Sequence, residues 1–384
     1  MMLRWVTEWA CAQCDCRLFI SPLPDKTLRC RFKSTSDGEA LRFLLSNFYG
    51  SEPVRIEKAT VTIGEACFRL TAGGRSGFTV AALQSIRTDP VKFRIYAGDE
   101  VEICFYVKDD IISGSMTQTG EHSVVGDYTA PGRFIIEPNQ RTVLPQIPEA
   151  VFQEPLMLVQ AMEILTGEES FAVAAFGDSI TQMGFWFNPL RDKLLNASSG
   201  RITALNLGIS GNRLLRSTPD RCIFGEAFGD SALIRVYQDI LTLSGVSKVI
   251  IALGVNDISQ PGTDDVGGKC VDEMPSFGQM ARGYKILKDV LEKNGIQVYG
   301  ATITPFEGYS GFNEGAESLR NQVNEWMRGK EVFEHIIDFD QAICDPFHKS
   351  RIRPEYDSGD HLHPNETGGR AMFDRIPVDG FTDR

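Results

Sequence analysis

The first part of the chain alternates short apolar runs with turn residues, a pattern typical of β-structure. The runs at residues 41–45, 54–63, 91–96 and 101–107 are rich in β-branched, aromatic and aliphatic side chains. The last two of them alternate apolar with charged positions, and glycine-containing breaks separate the runs. This pattern predicts an all-β, sandwich-like domain over residues 1–150.

Prolines interrupt the chain between residues 131 and 155. Proline cannot continue a helix, so this stretch is expected to be extended. Residues 151–168 also carry apolar positions, including Val159 and Met162, which favour a packed connecting strand over a solvated linker. We therefore expect the sandwich to pack against the domain that follows.

The pattern changes after this connection. Five apolar runs, at residues 171–176, 202–207, 248–253, 297–302 and 335–339, alternate with amphipathic segments at 186–196, 231–243, 276–294 and 314–328. Apolar strands separated by helices are typical of a parallel sheet covered on both faces. Residues 169–384 are predicted to form a three-layer, doubly wound α/β domain with five strands. Its ligand crevice is expected at the carboxyl ends of those strands.

Composition and charge exclude several classes of protein. Of the 384 residues, 42% are hydrophobic and 23% are charged, as in an ordinary globular protein. The 39 Lys and Arg residues against 51 Asp and Glu residues give a net charge of −12, which argues against a nucleic-acid or anionic-membrane partner. No apolar run approaches the roughly 18 residues of a membrane helix. Glu8 and Asp15 interrupt the place of a signal-peptide core, so a cytoplasmic protein is expected.

The nine cysteines are an odd number spread over a long chain, so reduced thiols are expected. Cys11, Cys14, Cys16 and Cys30 have a spacing that allows zinc binding. A structural role is preferred for them, because the second half of a zinc pair is missing and no histidine lies near Cys30. No metal and no cofactor are predicted.

Polar residues follow the first three strands of the predicted sheet. We name these segments the first polar turn (residues 177–181), the second polar turn (206–213) and the third polar turn (254–257). A C-terminal polar turn follows at residues 360–365. Because the carboxyl ends of parallel strands meet at one edge, the first three turns should converge. Together the turns supply a Ser, a Gly, an Asn and an Asp-x-x-His, the groups that acyl transfer needs.

These four turns, in this order, resemble the SGNH, or GDSL, hydrolase superfamily over roughly residues 170–384. Gly177-Asp178-Ser179-Ile180-Thr181 corresponds to the nucleophile motif. Gly208, Asn256 and the pair Asp360 and His363 correspond to the later motifs. The resemblance implies a flavodoxin-like sheet and hydrolysis of acyl esters.

The first domain carries a second resemblance. Residues 5–10 and 44–53 are similar to the accessory β-sandwich in the branch of that superfamily that includes xylan-associated acetyl esterases. This resemblance implies a jelly-roll-like domain before the catalytic one.

The predicted roles follow from chemistry. A serine hydroxyl is a weak nucleophile at neutral pH, so Ser179 needs a base, which His363 can supply. Asp360, three residues earlier, can hold the other ring nitrogen of His363 and fix its tautomer. The oxyanion of the tetrahedral intermediate is expected to meet the backbone N–H groups of Ser179 and Gly208 and the side-chain amide of Asn256.

Each assignment has a structural alternative. Ser179 can cap the helix after the first strand, and Asn256 or Asp257 can cap a later one. Gly208 can be an ordinary turn glycine. His361 is a rival base, although the Asp-x-x-His spacing and the extended conformation imposed by the proline after His363 favour the latter.

Substrate contacts are the least constrained part of the prediction. The candidates are Asp178, which is also expected to hold its turn, Asn212, Trp186 and His122, which lies in the sandwich. Aromatic residues near the turns can stack on sugars or belong to the core.

No long apolar face for a lipid is evident, so the leading hypothesis is a serine esterase that removes O-acetyl groups from sugars or oligosaccharides. A thioesterase or lysophospholipase is the alternative within the same chemistry. A carbohydrate-binding protein with a non-catalytic hydrolase scaffold is the alternative of another class. The oligomeric state stays open.

Overall fold

The computed structural model describes residues 2–15, 26–108, 115–117, 156–217, 228–263 and 274–382. They belong to two compact units, Met1–Ser170 and Phe171–Arg384. The proline-containing stretch 131–155 lies outside the described residues. Within the described ranges, no helix is both long enough and apolar enough to cross a membrane.

The first unit is antiparallel β-structure. Its strands are β1 (Leu3–Ala10), β2 (Cys14–Asp15), β3 (Lys26–Lys33), β4 (Ala40–Asn47), β5 (Val54–Ile56), β6 (Lys58–Ile63), β7 (Ala66–Arg69), β8 (Phe78–Val80), β9 (Gln84–Arg87), β10 (Glu100–Val107), β11 (Ser115–Thr117), β12 (Leu156–Met157) and β13 (Val159–Gly167). Two four-stranded sheets have the orders β1-β13-β4-β9 and β3-β10-β6-β7. Shorter sheets join β12-β11-β2 and β5-β8. The predicted sandwich class is confirmed.

Aromatic side chains join the two four-stranded sheets. The ring of Phe32 on β3 lies 4.7 Å from that of Trp9 on β1 and 6.0 Å from that of Phe43 on β4. Because Trp9 and Phe43 belong to one sheet and Phe32 to the other, the inner faces meet at these rings. Burying each such ring contributes on the order of 1.5–3 kcal/mol.

A buried carboxylate fixes β13 within its sheet. Glu163 is fully buried and lies 2.6 Å from Arg42 on β4 and 3.0 Å from Arg87 on β9. Burial alone would raise the pKa of Glu163, but the hydrogen bonds and charges of Arg87 and Arg42 hold it below its ordinary value. The ion pairs of Glu163 therefore help to hold the strand Val159–Gly167 between β1 and β4.

Two strand predictions in this unit are wrong in detail. Residues 91–96 form isolated bridges at Val91 and Ile95 and no strand. The reason is that β9 already pairs with residues 44–47 of β4, so only the start of β4 is left for this segment. The run at 54–63 is two strands, since β5 pairs with β8 while β6 pairs with β10.

The second unit is built around a parallel sheet. Its strands are β14 (Phe171–Gly177), β15 (Ile202–Gly208), β16 (Val246–Ala252), β17 (Gln297–Ala301) and β18 (His335–Ile337), and its helices are α1 (Ser179–Gln182), α2 (Phe187–Ser198), α3 (Ala232–Asp239), α4 (Val255–Ser259), α5 (Phe277–Lys293), α6 (Glu314–Arg328), α7 (Phe339–Ile343) and α8 (Glu366–Phe373). Short 3₁₀ helices span Pro354–Tyr356 and Val378–Phe381. The order β15-β14-β16-β17-β18 is that of a flavodoxin-like sheet, so the predicted doubly wound fold is confirmed.

Local sequence explains these elements. Every residue of the interior strand β14 is buried, as its continuous apolar run indicates. Helix α5 begins with a capping box between Ser276 and Gln279 and buries one apolar stripe. The predicted strand at 335–339 ends early at Ile337, because the Asp338 side chain accepts the N–H of Gln341 and caps α7.

The anchoring of β13 gives a testable prediction. Deleting residues 1–150 removes β1 and β4, the two neighbours of β13, and leaves its backbone groups and apolar side chains exposed. We expect this protein to be mostly insoluble, whereas deleting Met1–Ser170 removes β13 as well and gives more soluble protein. The soluble fraction after expression measures the difference. Equal solubility of the two truncations would contradict it.

Candidate active site

The end of β14 places Ser179 at the carboxyl edge of the sheet. Helix α1 begins at Ser179, and the Asp178 side chain caps it by accepting the N–H of Ile180 at 3.0 Å. The backbone N–H of Ser179 therefore has no acceptor within the helix. It donates to no other group in the described part of the chain. Asp178, and not Ser179, is the cap, which leaves the serine hydroxyl available for chemistry.

Three polar side chains meet in one line at this edge. Nε2 of His363 lies 2.8 Å from Oγ of Ser179. Nδ1 of His363 lies 2.5 Å from Oδ2 of Asp360. The other carboxylate oxygen of Asp360 accepts the backbone N–H groups of Leu362 and His363 and the hydroxyl of Ser358. The structure thus brings together the three residues that the sequence selects as nucleophile, base and orienting acid.

The charge on Asp360 is stabilised by these contacts. Partial burial by itself would raise the pKa of this carboxyl, but the hydrogen bonds from His363 and its charge hold the pKa below its ordinary value. An ionised carboxylate only accepts hydrogen bonds, so the proton between the two groups belongs to Nδ1 of His363. Nε2 then faces the Ser179 hydroxyl with a lone pair, as a general base must.

His361, the rival base, is paired with a different carboxylate. Its Nδ1 is 2.6 Å from Oδ2 of Asp357, and it makes no hydrogen bond to Ser179. Of these two histidines, it is His363 that contacts Ser179.

Gly208 is a site of close backbone approach. A Cβ atom there would lie 2.4 Å from the backbone nitrogen of Gln182 and 2.8 Å from the carbonyl oxygen of Asp178. Only glycine lets the end of β15 lie against the first turn of α1 in this way. The N–H of Gly208 donates to the side-chain oxygen of Asn206 at 3.1 Å. The second polar turn is thereby held beside Ser179.

The third polar turn begins with a strained glycine. Gly254 has a φ of +122°, and a Cβ there would lie 2.4 Å from the hydroxyl oxygen of Tyr284. Helix α4 follows, and Asn256 lies inside it rather than at its cap. The Asn256 amide donates to the carbonyl oxygen of Asn212 at 3.1 Å. The Asp257 carboxylate accepts the N–H groups of Leu214 and Leu215, so the third turn holds the second.

Asn212 is a structural member of this site. Its side-chain nitrogen donates to the carbonyl oxygens of Phe228 and Asp230, and its side-chain oxygen accepts from Arg235. It is buried, with both polar side-chain atoms engaged. These contacts do not support the predicted role of Asn212 as a substrate contact.

Arg235 is a residue that sequence reasoning missed. Its buried guanidinium donates to the carbonyl oxygens of Gly177 and Leu207, at 2.8 and 3.0 Å, and to Asp239 at 2.9 Å. A charged i,i+4 pair on the buried stripe of α3 is the signal that could have revealed it, since buried arginines need several acceptors.

Two acidic groups are buried beneath the site. Burial raises the pKa of Asp178 to about 7, against the lowering effect of the N–H of Ile180. Burial also raises the pKa of Asp257 to about 6, against the N–H groups of Leu214 and Leu215. Asp178 serves as a cap from inside the unit and is not exposed to a ligand.

The remaining candidates are placed as follows. Trp186 is fully buried, with its ring 5.1 Å from that of Phe339, so it belongs to the core and presents no face to a sugar. His122 lies outside the described residues.

The cysteine cluster of the first unit is also only partly described. Cys11, Cys14 and Cys30 are buried thiols, while Cys16 lies outside the described residues. Burial raises the pKa of the Cys30 thiol, and the neighbouring thiols of Cys104 and Cys11 add to the effect. Where side chains are described, no group of three or more His, Cys, Asp or Glu residues is placed to hold a metal ion.

Known proteins share features with this chain. Residues 175–371 match the model of the GDSL-like Lipase/Acylhydrolase family, a span that includes Ser179, Asp360 and His363. No curated protein matches the chain.

Solved structures with a similar fold cover about half of the chain. A GDSL-like lipase from Bacteroides thetaiotaomicron VPI-5482 is 17% identical, with 55% of this chain and 88% of that chain covered and a TM-score of 0.37. An acetyl xylan esterase, AlAXEase, is 19% identical, with 53% and 97% covered and a TM-score of 0.38. The α/β hydrolase LAE5, from the metagenome of Lake Arreo, Spain, is 15% identical, with 56% and 97% covered and a TM-score of 0.41.

Arg235 gives a prediction about stability. Arg235→Ala leaves the Asp239 carboxylate and two strand-end carbonyls without their buried donor, which should lower the free energy of unfolding by on the order of 3–5 kcal/mol. The matched control is Arg370→Ala, since Arg370 and Asp374 form an exposed i,i+4 pair on another helix of equal length. The control should cost less than about 0.5 kcal/mol. Urea unfolding measures both, and similar losses would refute the assigned role.

Asp178 gives a prediction about pH. Its carboxyl stays protonated in the folded protein up to about pH 7 but ionises near 3.8 in the unfolded chain. Its stabilising contribution is therefore present below about pH 4 and is lost as the pH rises through about 7. Asp178→Asn keeps a cap acceptor and cannot ionise. The free energy of unfolding of this variant, relative to that of wild type, should therefore rise between about pH 4 and about pH 7, by at most about 1.4 kcal/mol per pH unit.

Unfolding free energies of both proteins across this range test the prediction. Asp192→Asn, at an exposed position, is the control and should show a constant difference from wild type. A constant difference for Asp178→Asn as well would show that the buried carboxyl does not titrate as expected.

Proposed function

Because the chain belongs to the GDSL-like lipase/acylhydrolase family, we propose that it is a serine esterase that removes short acyl groups, acetyl in the first place, from sugars or oligosaccharides. The observation that carries this proposal is the continuous hydrogen-bonded line from Ser179 through His363 to Asp360. Such a line activates a hydroxyl for attack on a carbonyl carbon.

The proposed reaction has two halves. Nε2 of His363 takes the proton of Ser179 as the hydroxyl oxygen attacks the ester carbonyl carbon. The imidazolium, stabilised by Asp360, then gives that proton to the departing alcohol oxygen and leaves an acyl-enzyme. Water, deprotonated by His363, attacks the acyl carbon in the same way, and the carboxylic acid departs as Ser179 regains its proton.

The oxyanion formed in each half is proposed to meet three donors. The N–H of Ser179 is unpaired among the described residues and lies next to the reacting oxygen. The Asn256 amide uses one proton on the Asn212 carbonyl oxygen, so its second N–H remains for the oxyanion. The N–H of Gly208 would exchange its bond to Asn206 for the oxyanion. Losing one such donor typically lowers the rate about 10²- to 10³-fold.

The preference for a short acyl group rests on the aromatic residues after the strands. Trp186, Phe187 and Phe306 are buried in the core of the second unit. Rings packed in this way do not form an open apolar groove for a fatty chain. A small acyl group and a polar alcohol are therefore the substrate parts that this site favours.

Substitutions of the three residues test the proposed chemistry. Ser179→Ala and His363→Ala should each lower kcat for p-nitrophenyl acetate by on the order of 10⁶-fold, and Asp360→Ala should be milder, because this residue orients and does not react. His348→Ala, at an exposed loop histidine, is the control and should retain activity. Circular dichroism checks that each variant folds. Wild-type activity in Ser179→Ala would end the proposal.

The same assay defines the substrate. We expect kcat/KM to fall along p-nitrophenyl esters from acetate to palmitate and to be substantial for acetylated xylo-oligosaccharides. A maximum at long chains would instead favour a lysophospholipase-type activity.

A further inference from the structure

A second histidine–carboxylate pair lies in the turn that carries His363. Nδ1 of His361 is 2.6 Å from Oδ2 of Asp357, and the His361 side chain is 53% exposed while that of Asp357 is 9% exposed. The other oxygen of Asp357 accepts the backbone N–H groups of Gly359 and His361. The pair is thus well ordered, and the proposed reaction does not use it.

The backbone conformation at and around His361 indicates that the imidazole ring is held in one position. His361 has a φ of +65°, in the left-handed region that favours glycine. Its ring lies against Gly308, whose φ is +109° and whose Cβ, if present, would be 2.8 Å from Cγ of His361. Two unusual backbone positions therefore accommodate one side chain. Such strain persists only where the surroundings enforce it, and it accompanies functional groups.

The surface under the ring is itself anchored. Gly308 lies in the loop after β17, which ends at the same edge of the sheet as β14. The neighbouring Glu307 binds Arg351 at 2.8 Å and also accepts the hydroxyl of Ser350. The N–H of Tyr309 donates to the carbonyl oxygen of Phe306 at 3.1 Å. The His361 ring therefore rests on a fixed loop.

The hydrogen bond to Asp357 decides what His361 presents to a ligand. A carboxylate only accepts hydrogen bonds, so the shared proton belongs to Nδ1 of His361. In the neutral ring, Nε2 then carries a lone pair. Nε2 makes no hydrogen bond within the described ranges. An acceptor of fixed direction is thus presented two residues from His363.

We infer that Nε2 of His361 accepts a hydrogen bond from a free hydroxyl of the alcohol part of the substrate, which makes His361 a specificity-determining residue for polyhydroxylated acyl acceptors. This inference rests on the proposed function. The alcohol side is assigned because His363, on the same turn, donates its proton to the departing alcohol oxygen. A group on this turn is therefore assigned to the alcohol and not to the acyl chain.

His361→Gly tests this assignment without damaging the fold, because glycine adopts the left-handed backbone without strain. The substrates are methyl β-xyloside monoacetates with free hydroxyls, the same compounds with those hydroxyls O-methylated, and p-nitrophenyl acetate. We expect kcat/KM for the free-hydroxyl xyloside acetates to fall about 3- to 10-fold, mainly through KM. Hydrolysis of p-nitrophenyl acetate should change less than about two-fold.

The methyl ethers separate recognition from positioning. They cannot donate a hydrogen bond, so wild type should prefer the free-hydroxyl compounds, and His361→Gly should lose that preference. Lys330→Gly is the matched control, since Lys330 is an exposed residue with a φ of +57° outside the site. This variant should keep the wild-type preference.

Three results would overturn the inference. An equal loss on all substrates would make His361 a positioning residue for the catalytic turn. An unchanged preference for free hydroxyls in His361→Gly would show that another group reads them. If wild type hydrolyses no ester in a Ser179-dependent way, both the proposed function and this inference fail. If wild type hydrolyses p-nitrophenyl acetate in a Ser179-dependent way but one of the first two results is found, the inference alone fails.

Discussion

One buried guanidinium sets the geometry on which the candidate site depends. Arg235 lies over the ring of Phe176 at 3.9 Å and holds the carbonyl oxygens of Gly177 and Leu207, at the ends of two neighbouring strands. A buried guanidinium is costly unless its N–H groups find acceptors, so these strand ends must converge on it. The residues that follow them are the first polar turn and the second polar turn. The position of Ser179 therefore depends in part on the hydrogen bonds that the buried Arg235 guanidinium requires.

The third polar turn and the C-terminal polar turn are added to this frame by hydrogen bonds of their own. Asp257 holds the backbone after β15, and the Asn256 amide holds the Asn212 carbonyl oxygen. His363 reaches the site on a turn in which its carbonyl oxygen accepts the N–H of Ser358. Each turn is thus oriented by a neighbour and not by its own sequence alone. A change in one of these contacts should therefore be felt at more than one of the proposed donors.

Hydrophobic periodicity was sufficient to predict the strands and longer helices of the second unit, because strands buried on both faces and amphipathic helices leave clear hydrophobic patterns. Helix α6, for example, begins and ends where the pattern predicts, at Glu314–Arg328. The Asp-x-x-His spacing and the following proline favour His363 over His361, although each histidine has an aspartate within four residues. The left-handed backbone at His361, by contrast, is a feature that no periodicity encodes. Arg235 was missed for a related reason: besides the side chains of Asn212 and Asp239, its acceptors are two backbone carbonyls, which every sequence possesses.

Exposure divides the candidate site into two halves. Ser179 and Asn256 are buried, while the side chain of His363 is partly exposed and that of Asp360 is about half exposed, at 46%. The groups proposed to stabilise the oxyanion therefore lie where water is scarce and hydrogen bonds to a developing charge are strong. His363 and Asp360 lie toward solvent, on the side where the proposed reaction releases the alcohol. Burial on the side of Ser179 and exposure on the side of His363 fit the proposed small acyl group on a large, hydroxylated acceptor, because such an acceptor can keep most of its own surface in water.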